Sequence, residues 1–162
     1  MNRRKFIENS AASLAAVGIF SQIPNSLFAM PNYKGIKIPI GYQSYVLREE
    51  INKDIVGTLK KTFEMGYQHV EMCSPFGYAP YSFGALAKYT GKELKNIVND
   101  SGLACYSTHF TWNELDKHLD QRIAFAHEMG LKHMVSSGGL DGKTMDELKK
   151  QCDTLNKMGE KI

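Results

Sequence analysis

The chain has 162 residues, of which 43% are apolar and 23% charged, and its formal net charge is +3. This length suffices for one domain with a sizeable core, and the composition is that of an ordinary globular protein. Most of the net charge lies in the first eight residues, which leaves the remainder close to neutral and without a basic run. Since nucleic-acid binding needs a basic face, the charge distribution argues against that function.

The cysteines do not form a recognisable metal or disulfide pattern. Cys73, Cys105 and Cys152 lie far apart in the sequence and make no Cys-x-x-Cys pair. A zinc knuckle or a disulfide framework would need closer or paired spacing. We therefore expect three free thiols, most of them buried.

The first thirty residues have the pattern of an export signal. The cationic segment Arg3–Ile7, with its paired arginines, resembles a twin-arginine signal and precedes an apolar run, Ala11–Phe20. An amphipathic helix is the alternative, but the run has no polar face, and it is too short to cross a bilayer, which takes about 20 apolar residues. We predict export to the periplasm, no stable membrane span, a signal over 1–30 cleaved near Ala29, and a folded domain over 31–162.

Four short apolar segments typical of strands alternate with helices in the rest of the chain. Helices are expected to end at Gly66, Gly102 and Gly130, because glycine is the residue most common just past a helix. The phrase Glu-Met-Gly occurs at the first and the third of these ends, which indicates a repeated βα unit. The predicted strands are Ile36–Val46, Gln68–Met72, Leu103–Phe110 and Lys132–Ser136.

Polar side chains mark the starts of several helices. Short side chains that accept hydrogen bonds stabilise the first turn, and a glutamate three residues later completes a capping box. The expected caps are Asn52 or Asp54, then Thr90 with Glu93, and Thr144 with Glu147.

A long connection, Cys73–Tyr89, follows the second strand and is rich in aromatic residues. Loops of this length are uncommon unless they are functional or disordered, and the aromatic content argues against disorder. Two interpretations remain open: a loop folded onto its own side chains, or an aromatic lid over a pocket.

The alternation of strands and helices predicts an α/β fold with a parallel sheet. An open doubly wound sheet and a (β/α)8 barrel both satisfy this pattern, and a complete barrel needs about 250 residues. The chain provides about four βα units, so a parallel sheet built from them has two unpaired edges. Two copies pairing at these edges would form a homodimer with a closed sheet.

Three side chains near predicted strand ends are candidates for a site, because chemistry in such folds gathers at the carboxyl ends of strands. Glu71 lies between apolar residues on the second strand. It suits the orientation of substrate hydroxyls, an acid–base role, or a structural ion pair with Arg48. His109 ends the third strand and is either a site residue or a satisfied core histidine. Trp112 could stack on a sugar ring or simply pack.

The remaining polar candidates are weaker. His69 and His133 fall at strand starts and are interpreted as structural, and His118 and His127 fall on helices and are expected to face solvent. The turn Ser136–Gly139 could hold a phosphate with its backbone amides, although a Ser-Gly turn alone is weak evidence.

The segments Gly41–Arg48 and Met65–Glu71, together with His109, resemble the xylose-isomerase-like sugar phosphate isomerase/epimerase family, exported members included. The resemblance implies the first half of a (β/α)8 TIM barrel. It also implies a divalent metal (Mn, Mg, Co or Zn) whose ligands lie on later strands, outside this chain. In the family the positions of Gln43, Tyr45, Glu71 and His109 line the sugar pocket or support the metal shell.

Three functions follow as hypotheses. The first is a metal-assisted sugar isomerase or epimerase, with Glu71 and His109 as catalytic residues and Gln43, Tyr45 and Trp112 as substrate-binding residues, truncated before its metal ligands. The second is a non-catalytic carbohydrate-binding half barrel or an inactive fragment. The third, an apurinic-site endonuclease, is disfavoured, because it would need a histidine at the end of the fourth strand, where serines and glycines stand.

Overall fold

The computed structural model describes residues 38–162, in which four parallel strands alternate with helices. The strands lie side by side in the order of the sequence, as consecutive units of a (β/α)8 barrel do. This arrangement confirms the predicted α/β class and its parallel repeat. The strands are β1 (Gly41–Gln43), β2 (His69–Cys73), β3 (Ser107–Phe110) and β4 (His133–Ser136). The α-helices are α1 (Arg48–Lys53), α2 (Ile55–Glu64), α3 (Gly91–Asp100), α4 (Trp112–Met129) and α5 (Met145–Gly159).

The predicted export signal over 1–30 lies outside the described residues. Within residues 38–162, no helix combines the length and the apolar character that crossing a bilayer requires.

The two faces of the sheet differ in burial because side chains alternate along a strand. On one face Val70, Met72, Thr108 and Phe110 are almost fully buried. Their apolar neighbours in the core include Leu59 of α2, Leu94 and Val98 of α3, and Leu115, Phe125 and Met129 of α4. The opposite face carries the partly exposed polar side chains of β2 and β3. The core therefore lies on the helix side, and the polar face remains open for a site.

The first strand is shorter than predicted. Of the predicted strand Ile36–Val46, only Gly41–Gln43 is a strand among the described residues, and Ser44–Leu47 forms a 3-10 helix. The Gln43 side chain accepts a hydrogen bond from the Tyr45 backbone N–H at 2.8 Å, which caps that helix. The prediction that Tyr45 lies within the first strand was therefore wrong, because the chain turns directly after Gln43.

The third strand is also shorter than predicted, covering Ser107–Phe110 of the predicted Leu103–Phe110. Ala104 makes an isolated bridge to His69, so only one point of the earlier segment pairs with β2.

Most of the expected helix signals are confirmed. Gly66, Gly102 and Gly130 all have a positive φ, the backbone conformation that favours glycine. Asp54, not Asn52, caps α2. Both predicted capping boxes form, and a third joins Thr111 and Glu114 at the start of α4.

The aromatic connection Cys73–Tyr89 is ordered around two short 3-10 helices, Ala79–Tyr81 and Gly84–Lys88. Phe83 is fully buried and meets the ring of Tyr78 edge-on at 6.2 Å. Tyr81 is half exposed. The connection thus packs partly on its own side chains and leaves other rings free for a pocket.

The contact between α3 and α4 gives a test of the packing. A Cβ added to Gly91 would lie 2.7 Å from the Phe125 backbone oxygen and 2.8 Å from the Glu128 Cβ. We expect Gly91→Ala to lower the free energy of unfolding by about 1–3 kcal/mol, because the helices must move apart. Urea unfolding followed by circular dichroism measures this change.

Gly159→Ala is the matched control, since a Cβ there meets nothing within 4 Å. It should leave the unfolding free energy unchanged or raise it by less than about 1 kcal/mol. Equal effects of the two substitutions would contradict the close α3–α4 approach.

Candidate functional site

The polar face of the sheet brings together side chains from the ends of three strands. In the parallel register Gln43 lies opposite Glu71, and Cys73 lies opposite His109. Ser107 shares a face with His109 because the two residues are separated by one position. These residues meet although up to 66 positions separate them in sequence.

Glu71 is held by Ser107 and lies close to His109, both on β3. Its Oε2 accepts a hydrogen bond from the Ser107 hydroxyl at 2.7 Å, and its Oε1 lies 3.6 Å from the His109 Nε2. Its side chain is 29% exposed, so the carboxylate is partly desolvated and still accessible. The distance to His109 exceeds that of a good hydrogen bond, which leaves the imidazole group free to meet a ligand.

The structural alternative for Glu71, an ion pair with Arg48, does not form. The Arg48 guanidinium lies 4.7 Å above the Tyr45 ring and 3.7 Å from Glu49. It also donates a hydrogen bond to the Tyr45 backbone oxygen at 3.2 Å. Arg48 thus supports Tyr45, and the partners of Glu71 lie on β3.

Gln43 links His109 to the turn after β1. Its Nε2 lies 3.0 Å from the His109 Nδ1 and 3.2 Å from the Cys73 Sγ, while its Oε1 accepts from the Tyr45 N–H. Gln43, His109, Glu71 and Ser107 therefore form a continuous series of polar contacts across β1, β2 and β3, which we call the polar series.

Two neighbouring cavities open along this face. The larger, of about 580 Å³, is lined by Gln43, Tyr45, Tyr78, Tyr81, His109, Thr111 and Ser137. The smaller, of about 340 Å³, has Gln43, Glu71 and Ser107 in its wall. Gln43 lines both cavities, and His109, which lines the larger one, contacts Glu71 in the smaller.

Three tyrosine rings form the apolar wall of the larger cavity. The ring of Tyr45 lies 6.2 Å from each of Tyr78 and Tyr81, and those two rings are 5.9 Å apart. Sequence reasoning identified Tyr45 and considered Ser137 within a possible phosphate-binding turn, but it did not name Tyr78, Tyr81 or Thr111 as site residues. The aromatic content of the connection after β2 was the signal that pointed to the two loop tyrosines.

Trp112 lies at the start of α4 and does not line the larger cavity. Its ring packs against Gly139, where an added Cβ would overlap it and where φ is +88°. The structure thus places Trp112 against the turn after β4, and its predicted stacking on a sugar stays a prediction.

Two polar groups of the turn Ser136–Gly139 are bonded to protein carbonyl oxygens. The Ser137 backbone N–H donates to the Phe110 oxygen at 2.9 Å, and the Ser136 hydroxyl donates to the Gly138 oxygen at 3.0 Å. The Ser137 amide is therefore committed to the sheet and is not offered to a phosphate.

A buried ion pair fixes the start of the aromatic connection. Glu114 accepts a hydrogen bond from the Ser74 hydroxyl, and its Oε1 lies 3.4 Å from the Arg122 Nε. The Arg122 guanidinium covers the Phe76 ring at 3.9 Å. Burial lowers the pKa of Arg122, and the Glu114 carboxylate acts in the opposite direction. This pair ties the connection to α4 next to the cavity.

The other histidines lie outside the polar series. His118 and His127 are exposed on α4, as predicted, and His133 is exposed at the start of β4. His69 lies against the Tyr106 ring at 5.3 Å near the start of β2. His69 and His133 thus lie at strand starts, as expected, and their structural role stays a prediction.

Residues 38–162 contain no group of three or more His, Cys, Asp or Glu side chains placed to hold a metal ion. Glu71 and His109 approach each other, and the nearby Cys73 thiol is buried. Burial raises its pKa to about 11, which disfavours the thiolate that a metal would need. The described residues thus do not form a metal site by themselves.

Comparison with known proteins identifies structural relatives of the chain. Neither a protein-family model nor a curated protein matches it. A crystal structure of a sugar phosphate isomerase/epimerase from Parabacteroides distasonis ATCC 8503 is similar, with a TM-score of 0.63, 22% identity, and coverage of 79% of this chain and 48% of that chain. A second structure, also described as a sugar phosphate isomerase/epimerase from that organism, has a TM-score of 0.57 and 23% identity, with coverage of 75% and 49%.

The chain therefore spans about half the length of the solved structures that it matches. At this level of identity the likeness shows a shared fold. It places the four βα units in the architecture that the sequence predicted.

The environment of the three thiols predicts their reactivity. Cys73 and Cys105 are buried, and burial raises the pKa of both thiols. Cys152 is exposed, so two of the three thiols are buried, as expected. At about pH 8 a thiol reagent should modify Cys152 in the folded protein and leave the other two unmodified, because a raised pKa and burial both limit thiolate attack. Mass spectrometry after labelling measures this.

Cys152→Ser is the control and should abolish the fast labelling. Fast modification of Cys73 in the folded Cys152→Ser protein would contradict the buried position at the end of β2.

Proposed function

We propose that this chain binds a sugar and transfers protons on it, as part of a sugar isomerase or epimerase. The observation that carries the proposal is the polar series, in which a partly exposed carboxylate, Glu71, is held by Ser107 and faces His109 next to a cavity lined by tyrosines. Isomerisation and epimerisation of sugars require removal of a proton from a carbon next to a carbonyl, and a positioned carboxylate suits that task.

The larger cavity has the chemistry that a monosaccharide needs. A sugar ring has apolar C–H faces, which pack on aromatic rings, and hydroxyl groups, which need hydrogen-bond partners. Tyr45, Tyr78 and Tyr81 offer the rings. Polar side chains of Gln43, His109, Thr111 and Ser137 complete the wall, and the Nε2 of His109 is the group that we assign to the sugar. A volume of about 580 Å³ is in the range of small-molecule sites.

The proposed roles follow from the contacts. In an isomerisation, the Glu71 carboxylate removes the proton from the carbon next to the carbonyl and returns it to the former carbonyl carbon, while a hydroxyl proton moves to the former carbonyl oxygen. In an epimerisation, Glu71 removes the proton and a solvent proton is added to the same carbon from the opposite face. Ser107 donates to the Oε2 of Glu71, which leaves Oε1, on the side of His109, as the oxygen that accepts the proton. His109 supplies a polar contact to a sugar oxygen, since its Nε2 lies 3.6 Å from Glu71 and is not committed to it.

The resemblance to the isomerase/epimerase family also predicts a divalent metal, and we propose metal binding for the whole protein, not for the described residues alone. The described residues do not assemble a ligand set for it, and the roles assigned above rest on protein groups. The names of the structural relatives support a sugar substrate without fixing which sugar.

Exchange of hydrogen with solvent tests the proposed proton transfer. The chain is incubated in D₂O with Mn²⁺ and a panel of ketoses and aldoses, and NMR spectroscopy follows deuterium at the carbon next to the carbonyl. We expect deuterium uptake, and we expect Glu71→Gln to slow it about 100-fold or more, because the amide cannot accept the proton. Sugar affinity should change far less.

Glu64→Gln is the control, because Glu64 is an exposed carboxylate at the end of α2. It should leave the exchange rate unchanged. Exchange that survives Glu71→Gln would overturn the role of Glu71. Sugar binding without any exchange would favour the non-catalytic carbohydrate-binding alternative.

A further inference from the structure

The amide of Gln43 has one orientation that satisfies its neighbours. Its Oε1 lies 2.8 Å from the backbone nitrogen of Tyr45, and a backbone N–H can only donate. The atom that faces Tyr45 must therefore be the carbonyl oxygen, because the reversed amide would set two donors against each other. The turn after β1 thus directs the NH₂ group of Gln43 toward β2 and β3.

Both hydrogens of that NH₂ group then have acceptors. The Gln43 Nε2 lies 3.0 Å from the Nδ1 of His109 and 3.2 Å from the Sγ of Cys73. An amide NH₂ cannot accept, so the Nδ1 of His109 must present a lone pair. A neutral imidazole carries one N–H, and the proton of His109 therefore lies on Nε2.

The opposite side of the ring supports the same tautomer. The Nε2 of His109 faces the Oε1 of Glu71 at 3.6 Å, while Ser107 occupies the other carboxylate oxygen. An N–H directed at a carboxylate is favourable, whereas a lone pair directed at it is not. The Gln43 contact therefore requires the proton on Nε2, and the nearby Glu71 carboxylate favours the same position without being hydrogen-bonded to it.

We propose that Gln43 is a positioning residue that holds neutral His109 with its proton on Nε2, so that His109 donates a hydrogen bond at the Glu71 end of the site. Glu71 and His109 then have different roles. Glu71 is the group able to accept a proton, and His109 donates a hydrogen bond to a ligand oxygen beside it. These roles rest on the proposed function, whereas the assignment of the His109 tautomer does not.

Nitrogen NMR tests the tautomer directly. The full chain is labelled with ¹⁵N-histidine, and His109 is assigned by the loss of its signals in His109→Asn. Spectra are recorded at a pH where the ring is neutral. We expect Nδ1 of His109 to have the chemical shift of an unprotonated nitrogen and Nε2 that of a protonated one. A proton on Nδ1 in the unchanged chain overturns the proposal.

Two substitutions at Gln43 distinguish a residue that sets the tautomer of His109 from one that only stabilises the fold. Gln43→Glu keeps an acceptor for the Tyr45 N–H but turns an acceptor toward Nδ1, so Nδ1 should gain a proton. Gln43→Leu removes both contacts, so the His109 signals should move toward a mixture of tautomers. The other four histidines serve as internal controls for folding and should keep their shifts.

Gln121→Glu introduces the same change on the exposed side of α4 and should leave the His109 spectrum unchanged. A spectrum of His109 that is also unchanged in Gln43→Glu would show that Gln43 does not set the tautomer. Because the spectra require no sugar, a failure of the exchange experiment would remove the proposed function and leave this assignment standing.

Discussion

The hydrogen bond from the Tyr45 backbone N–H to the side chain of Gln43 connects the fold to the candidate site. It ends β1, starts the 3-10 helix Ser44–Leu47 and places the Tyr45 ring beside the rings of Tyr78 and Tyr81. The same bond fixes the direction of the Gln43 amide, and with it the contact to His109. One local turn thus determines both the aromatic wall and one end of the polar series.

The sheet positions the other residues of the polar series. The buried face under the helices anchors β2 and β3, so the alternate residues Glu71, Ser107 and His109 are held on the open face with little freedom. Glu114 and Arg122, which pair with each other on α4, hold the aromatic connection through the Ser74 hydroxyl and the Phe76 ring. A buried pair of this kind is costly to break, because the remaining charge would be left without a partner.

Local signals in the sequence predicted the βα repeat well. A glycine at positive φ and a capping box each involve only a few consecutive residues, so the sequence alone shows them. Gly66, Gly102 and Gly130 behave as expected, and so do the caps at Thr90 and Thr144. The early end of β1 was missed, because it depends on a side chain that caps its own turn. Contacts across strands, such as Gln43 with His109 and Ser107 with Glu71, depend on which residues of neighbouring strands lie opposite each other, and the pattern within each separate segment does not state this pairing.

The central claim is that a sugar packs against the rings of Tyr45, Tyr78 and Tyr81 and places one of its oxygen or carbon atoms next to the polar series. A crystal structure of the chain with a ketose bound tests it most directly. The account predicts density for the sugar in the cavity of about 580 Å³, with polar atoms within hydrogen-bond distance of His109 and with Glu71 still bonded to Ser107. A sugar bound elsewhere, or Glu71 turned to Arg48, would contradict it.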